Sequence, residues 1–179
     1  GDISEPVSQA TLRIVKVFWG LDYALSYSRH FPAINWLDSY TLYQSGMDKW
    51  MNENISREFS CNRAQAMNLL QEEQGLLEIV RLVGRDSLSE LDQLKLEATK
   101  SIREDYLQKQ DKMLKMVLEF YEQGKRGLDN GVYLKEIEHM SVRERITRAK
   151  YIPEDNISEI DEITQEIKTS MDKLISKGG

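Results

Sequence analysis

Apolar residues recur every three or four positions along most of the chain after residue 60, which is the spacing of one helix face. The last such run is the most regular, with the apolar positions Ile157, Ile160, Ile163, Ile167, Met171 and Leu174. Three earlier stripes have the same spacing: Ala66, Leu69, Leu70, Leu77, Val80, Leu82; Leu88, Leu91, Leu94, Ala98, Ile102, Tyr106; and Met113, Leu114, Val117, Phe120, Tyr121. The pattern predicts an antiparallel bundle of five or six helices over residues 51–179.

Residues with special backbone chemistry predict where these helices begin and end. Gly84 is expected to end the first long helix, because glycine readily takes the left-handed conformation after a last helical turn. Ser87–Glu90 and Ser141–Glu144 have the serine-to-glutamate spacing of a capping box, so each predicts a helix start. Gly124 and Gly127 predict a loosened end to the third stripe.

The first 50 residues have a different pattern. Thr11–Trp19 is rich in β-branched residues and predicts one strand. A short helix capped by Asp22, an ordered loop over His30–Trp36 and a short helix over Ser39–Trp50 are expected to follow. A single strand leaves its backbone groups unpaired, so we expect its neighbours to lie in a part of a longer protein that this chain lacks. The predicted fold is mainly α, with a strand-and-loop segment over 1–50 and a helical domain over 51–179.

Composition excludes several classes of function. The 179 residues have a formal net charge of −6, which disfavours binding to nucleic acid phosphates. No apolar stretch approaches the roughly 18–20 residues of a membrane span, so we expect no direct membrane insertion. The single cysteine, Cys61, and the two histidines, His30 and His139, do not have the spacing of a zinc site.

Motifs for catalysis are missing from the sequence. It has no phosphate-binding GxxxxGK[ST] loop, and the pair Gly124–Lys125 lacks both the hydroxyl residue and the preceding strand. We therefore predict no catalytic residue in this chain. The aromatic residues among the first 50, which include Trp19, Phe31 and Trp36, fit either a flat pocket for a planar ring or a small aromatic core.

Several motifs, in order along the chain, carry a resemblance to a known family. They read GDISEPV at 1–7, LRIVKVFWGLD at 12–22, RHFPAINW at 29–36, EIVRLVG at 78–84, SIREDYLQ at 101–108, VRERI at 142–146 and KYIPE at 150–154. This set resembles the catalytic A subunit of V/A-type rotary ATPases. The resemblance implies that the chain is a C-terminal fragment, with the last strand of an α/β nucleotide-binding domain followed by the C-terminal helical domain.

The resemblance also implies a function, cofactors and partners. The parent enzyme binds ATP or ADP with Mg²⁺, alternates with the non-catalytic B subunit in a hexamer and turns a central stalk, as a cytoplasmic sector peripheral to the membrane. The catalytic residues lie upstream of Gly1, so the chain alone is expected to bind no nucleotide and to be inactive. The B subunit itself and related secretion or flagellar ATPases are disfavoured, because RHFPAINW at 29–36 is typical of the catalytic A subunit.

Two candidate sites follow from the resemblance. Phe31, with Pro32 holding its loop, matches an aromatic residue that packs on the adenine ring. The acidic turn that resembles the stalk-contacting lever of related catalytic subunits comprises Asp86, Ser87, Leu88, Ser89, Glu90, Leu91 and Asp92. A capping box with ordinary acidic residues at a helix start explains Ser87, Glu90 and Asp92 equally well.

Two further expectations concern the extent of the chain. The family carries a loop with a second adenine-contacting aromatic after SIREDYLQ, so the Gln110–Asp111 junction is expected to mark a loop that was removed or left out of the sequence. The alternative interpretation is a stand-alone helical interaction module without enzymatic activity, which requires no nucleotide-binding domain upstream.

Overall fold

The computed structural model describes residues 4–27, 29, 31–103, 111–153 and 156–178, which form two compact units, Gly1–Ser60 and Cys61–Gly179. The predictions for His30, Tyr106 and the Gln110–Asp111 junction lie outside the described residues. The elements in chain order are α1 (Pro6–Leu12), β1 (Val17–Leu21), α2 (Tyr23–Tyr27), β2 (Ile34–Thr41), α3 (Gln44–Asn54), α4 (Phe59–Val83), α5 (Glu90–Ser101), α6 (Asp111–Asp129), α7 (Leu134–Glu138), α8 (Val142–Arg148) and α9 (Ser158–Gly178). The predicted mainly α fold is confirmed.

Strands β1 and β2 form an antiparallel two-stranded ribbon in the first unit. The pairing of Phe18 with Tyr40 and of Gly20 with Asn35 leaves extra residues on β2 between them, so the register shifts there. The amide of Gly20 donates to the Ser39 hydroxyl at 3.0 Å, and this hydroxyl donates to the Asn35 carbonyl at 2.5 Å. The Ser39 hydroxyl thus bridges the Gly20 amide and the Asn35 carbonyl at the irregularity.

Two predictions for the first unit are wrong. The strand does not span Thr11–Trp19, because Pro6 occupies the first turn of α1 and its fixed φ favours the helix that runs to Leu12. The strand also has a partner within the chain, since residues 34–41, expected as loop and helix, form β2. The predicted cap of α2 is confirmed: the Asp22 carboxylate accepts from the Ala24 amide at 2.7 Å.

The core of the second unit lies around α6, which packs most extensively against α9 and then against α5. α8 packs on α9, and α7 contacts both α5 and α6. Every apolar position predicted in the stripe of α6 is buried, as are Ile160, Ile163, Ile167 and Met171 of α9. The regular spacing of three and four therefore predicted the central packing of this unit correctly.

Three details of the second unit differ from the predictions. Leu82, expected in the apolar stripe of α4, is 83% exposed. Ser141 makes no capping hydrogen bond through its side chain. Gly124 and Gly127 do not loosen α6, which continues to Asp129; both are buried and allow close approach of Leu94 and Met171, respectively.

Candidate functional site

The turn between α4 and α5 is the exposed acidic segment that the sequence singled out. α4 ends at Val83 before Gly84, whose φ of 89° only glycine adopts readily, as predicted. A short 3₁₀ turn over Arg85–Ser87 follows, and α5 begins at Glu90. All residues from Arg81 to Ser87 are exposed, so this turn presents the carboxylate of Asp86 to solvent.

The cap of α5 is Ser89, not Ser87 as predicted. The Ser89 hydroxyl accepts from the Asp92 amide at 3.1 Å and donates to the Asp92 carboxylate at 2.6 Å. Ser87 donates its hydroxyl to the carbonyls of Val83 and Gly84 at 2.9 and 2.7 Å, which closes the end of α4 instead. Serine occurs at both positions, and the spacing to an acidic residue fits either, so the sequence pattern did not distinguish them.

Alanine substitution of the two serines should separate these roles. Ser89→Ala is expected to lower the free energy of unfolding by about 1 kcal/mol, because an amide in the first turn of α5 loses its acceptor. Ser87→Ala, the matched control two residues earlier, should change it by less than about 0.5 kcal/mol, because its partners are exposed carbonyls that water can serve. Urea unfolding followed by circular dichroism measures both values. Equal losses for the two variants would contradict the assignment of Ser89 as the cap.

The acidic residues of the turn differ in their surroundings. Glu90 accepts a hydrogen bond from the Leu134 amide at 3.3 Å, which ties the start of α5 to α7. Asp92 lies 3.3 Å from the Lys95 ammonium, which also pairs with Glu72 at 2.8 Å. The pKa of Lys95 is raised, and the hydrogen bond to Glu72 is the largest cause. Glu90 and Asp92 thus have structural partners, whereas Asp86 lies on the exposed part of the turn.

A cluster of ion pairs connects the turn to α5, α7 and α8, and the sequence did not predict it. The Arg85 guanidinium lies 2.8 Å from one oxygen of Glu97 on α5 and 3.4 Å from a carboxylate oxygen of Glu138 on α7. The other oxygen of Glu97 lies 2.9 Å from Arg143 on α8. The two guanidinium groups outweigh the effect of burial and hold the pKa of Glu97 below its usual value. The cluster joins residues far apart in sequence, so no local pattern indicates it.

The second candidate site, Phe31, lies in the loop between α2 and β2. The Phe31 side chain is 83% exposed, and Pro32 follows it through a cis peptide bond. Arg29, two residues before Phe31, has a φ of 60°. Trp19 and Tyr27 are exposed as well. These aromatic residues of the first unit therefore do not form the small core that one interpretation of the sequence predicted.

Neither a metal-binding group of side chains nor a membrane span is found in the described part of the chain. Among the residues that the structure describes, no three His, Cys, Asp or Glu side chains are grouped closely enough to hold a metal ion. No helix in that part of the chain has a stretch long and apolar enough to cross a membrane.

Comparison with known families assigns the two parts of the chain separately. Residues 1–41 match the nucleotide-binding domain of the ATP synthase alpha/beta family, and residues 48–152 match the C-terminal domain of V and A type ATP synthase. The chain is thus an ATP synthase-type protein, in which part of a nucleotide-binding domain precedes a helical domain. It belongs to the family of V- and A-type ATP synthase C-terminal domains.

Several curated proteins match over the full chain. The V-type ATP synthase alpha chain of Clostridium botulinum strain Hall is 58% identical, the alpha chain 1 of Clostridium tetani 56% and the alpha chain of Clostridium perfringens strain SM101 55%. Each match covers 100% of this chain and 33% of the relative, so the chain spans about a third of their length. The alignments run over 193 positions for a chain of 179 residues, so each relative has at least 14 residues without a counterpart here. The loop expected at Gln110–Asp111 stays a prediction.

Proposed function

We propose that this chain is the part of a V/A-type catalytic A subunit that couples ATP hydrolysis or synthesis to rotation of a central stalk. The observation that carries the proposal is the similarity of this whole chain to a third of the V-type ATP synthase alpha chain, together with the family matches of residues 1–41 and 48–152. In this proposal residues 1–50 belong to the nucleotide-binding domain and residues 51–179 to the helical domain. The parent enzyme binds ATP or ADP with Mg²⁺, and its phosphate-binding residues belong to another part of the protein.

The proposed mechanism assigns motion to the helical domain and chemistry to the nucleotide-binding domain. Nucleotide binding closes the latter, the helical domain moves with it as a rigid body, and the Asp86–Asp92 turn displaces the stalk. The partners in this mechanism are the non-catalytic B subunit, which alternates with the catalytic one in a hexamer, and the stalk subunits. The enzyme sector is proposed to be cytoplasmic and peripheral to the membrane.

Charge reversal at the tip of the turn tests the stalk contact. In the full-length subunit, assembled with its partners, Asp86→Lys is expected to slow ATP-driven rotation under load by roughly 1.5- to fivefold, because one exposed charge contributes about 0.2–1 kcal/mol. The matched control is Glu162→Lys, which makes the same change on the exposed face of α9. Single-molecule rotation against a viscous load measures the effect. Equal rotation rates for both variants and the unaltered enzyme would count against a charged contact between turn and stalk.

Phe31 is proposed to stack on the adenine ring, with Pro32 shaping its loop. Phe31→Ala in the full-length assembled enzyme should weaken ATP binding about tenfold, since stacking of a base on an aromatic side chain contributes roughly 1–3 kcal/mol. Binding of inorganic tripolyphosphate should stay unchanged, because it has no base to stack. Tyr27→Ala removes an aromatic residue of similar exposure, 81%, and serves as the control. Isothermal titration measures both ligands, and an equal loss for both would exclude the stacking role.

A further inference from the structure

The end of α4 that leads into the acidic turn has no buried residue of its own. The buried positions of α4 are Ala66, Leu69, Leu70 and Glu73, so the last ten residues before Gly84 are half-buried or exposed. Apolar packing normally fixes the direction of a helix, because an amphipathic face is held against its neighbours. Other contacts must therefore hold the turn in place against a sideways force.

Polar contacts at the start of the 3₁₀ turn and after its end hold it in place. At the first residue of the turn, Arg85 reaches Glu97 on α5 at 2.8 Å and Glu138 on α7 at 3.4 Å. After it, the carboxylate of Glu90 accepts from the Leu134 amide at 3.3 Å. The turn is thus joined to α7 from both of its ends, through side chains that emerge five residues apart.

The arrangement continues from Glu97 into the core. The side chain of Glu97 is only 18% exposed and is shared between Arg85 and Arg143. The Arg143 guanidinium carbon lies 4.9 Å above the ring of Phe120, which is itself buried on α6. A chain of direct contacts therefore runs from the turn through α5 and α8 to the central helix. Partly buried pairs such as these are screened by salt less than surface pairs.

We propose that Arg85 is a positioning residue that locks the Asp86–Asp92 turn onto α5, α7 and α8. A force on the turn then acts on the Cys61–Gly179 unit as a whole. This inference rests on the proposed contact between the turn and the stalk. It adds that transmission depends on a residue beside the contact, whose two carboxylate partners lie on α5 and α7.

The test uses the full-length subunit in the assembled complex. Arg85→Ala is expected to leave the rate of ATP hydrolysis without load unchanged and to lower the rotation rate under high viscous load at least threefold. The loaded rotation rate of Arg85→Lys should fall between those of Arg85→Ala and the unaltered enzyme, because an ammonium lacks the planar fork that holds two carboxylates at once. Arg148→Ala is the matched control, since Arg148 pairs with Glu144 on the exposed surface of α8 at 2.6 Å. Ile163→Val, a mild core change in α9, controls for general loss of stability.

A structural measurement accompanies the rotation assay. Amide hydrogen exchange of residues 84–89 in the assembled complex should be at least tenfold faster in Arg85→Ala than in either control. Should Arg85→Ala fail to assemble, Glu138→Gln removes one partner of Arg85 and is expected to give a smaller change in the same direction. Faster exchange combined with slower loaded rotation supports the positioning role.

The outcomes separate this inference from the function on which it rests. If Asp86→Lys slows loaded rotation and Arg85→Ala does not, the stalk contact stands and the positioning role is overturned. If neither variant changes loaded rotation, the stalk contact fails and the positioning role fails with it. A loss in Arg85→Ala that Ile163→Val reproduces in full would show a stability effect, and it would also overturn the inference.

Discussion

Replacing Phe120 by alanine is expected to lower the free energy of unfolding of the Cys61–Gly179 unit by about 3–5 kcal/mol, the usual cost of truncating a buried phenylalanine. The ring is 2% exposed on α6, the helix that packs against both α5 and α9. Its loss leaves a cavity in the centre of the unit. It also removes the surface against which the Arg143 guanidinium lies at 4.9 Å.

Two control variants separate the cavity from the ring–guanidinium contact. Phe120→Leu retains most of the buried apolar volume and should lower the free energy of unfolding less than Phe120→Ala does. The loss that Phe120→Leu still causes then reflects repacking and the lost cation–π contact. Tyr133→Ala removes an aromatic side chain that is 69% exposed and should change stability by less than about 0.5 kcal/mol.

Urea unfolding followed by far-ultraviolet circular dichroism is the appropriate measurement for these variants. Trp19, Trp36 and Trp50 all lie in the first unit, so tryptophan fluorescence does not report directly on the second. A loss below about 1 kcal/mol for Phe120→Ala would contradict the central position of this ring, because burial of a full aromatic side chain contributes more than that.

The helical unit could be predicted from the sequence because each long helix has one apolar face. Ile160, Ile163, Ile167 and Met171 recur at three and four residues, and each has less than 5% of its surface exposed. Such a pattern depends only on the helical period and on the preference of apolar side chains for the core. It needs no knowledge of which helix lies opposite.

The ribbon of the first unit was predicted poorly because its signals are weaker and conflict. Pro6 favours a helix start, whereas Ile14, Val15 and Val17 favour a strand, and the strand is confined to Val17–Leu21. Residues 34–41 lack a simple alternation of apolar and polar side chains, because the register shift between the Phe18 and Gly20 pairs interrupts it. A strand that carries such an irregularity is not visible as a period of two.

The candidate sites show the same division between local and distant information. The exposure of Asp86 and Ser87 follows from adjacent polar residues, whereas the stalk contact of the Asp86–Asp92 turn stays a prediction. The Glu97 cluster requires Arg85 of the turn and Arg143 of α8 to meet at one carboxylate of α5, which only the folded chain determines. Glycine is ambiguous in the same way: Gly84 ends a helix by its own conformation, while the role of Gly124 depends on what lies opposite it.

Gly124→Val is therefore expected to destabilise the Cys61–Gly179 unit by about 2–3 kcal/mol, toward the upper end of the usual cost of overpacking a core. A Cβ atom at Gly124 would lie 2.8 and 3.0 Å from the two methyl carbons of Leu94 and 3.5 Å from its Cγ. Leu94 is 1% exposed, so its isopropyl group can move aside only into the closely packed core. The added branched side chain must push α5 away from α6 or force strained rotamers.

Gly75→Val makes the same chemical change at the matched position on α4. A Cβ atom at Gly75 would meet nothing within 4 Å, so only the helix propensity changes, and a gain of about 0.4 kcal/mol is expected. The two variants should thus shift the urea midpoint in opposite directions. If instead Gly124 served to loosen α6, as its position near the helix end suggested, valine at 124 would stabilise the helix as it does at 75. Opposite shifts exclude that role, because propensity acts alike on both helices and only the contact with Leu94 distinguishes them.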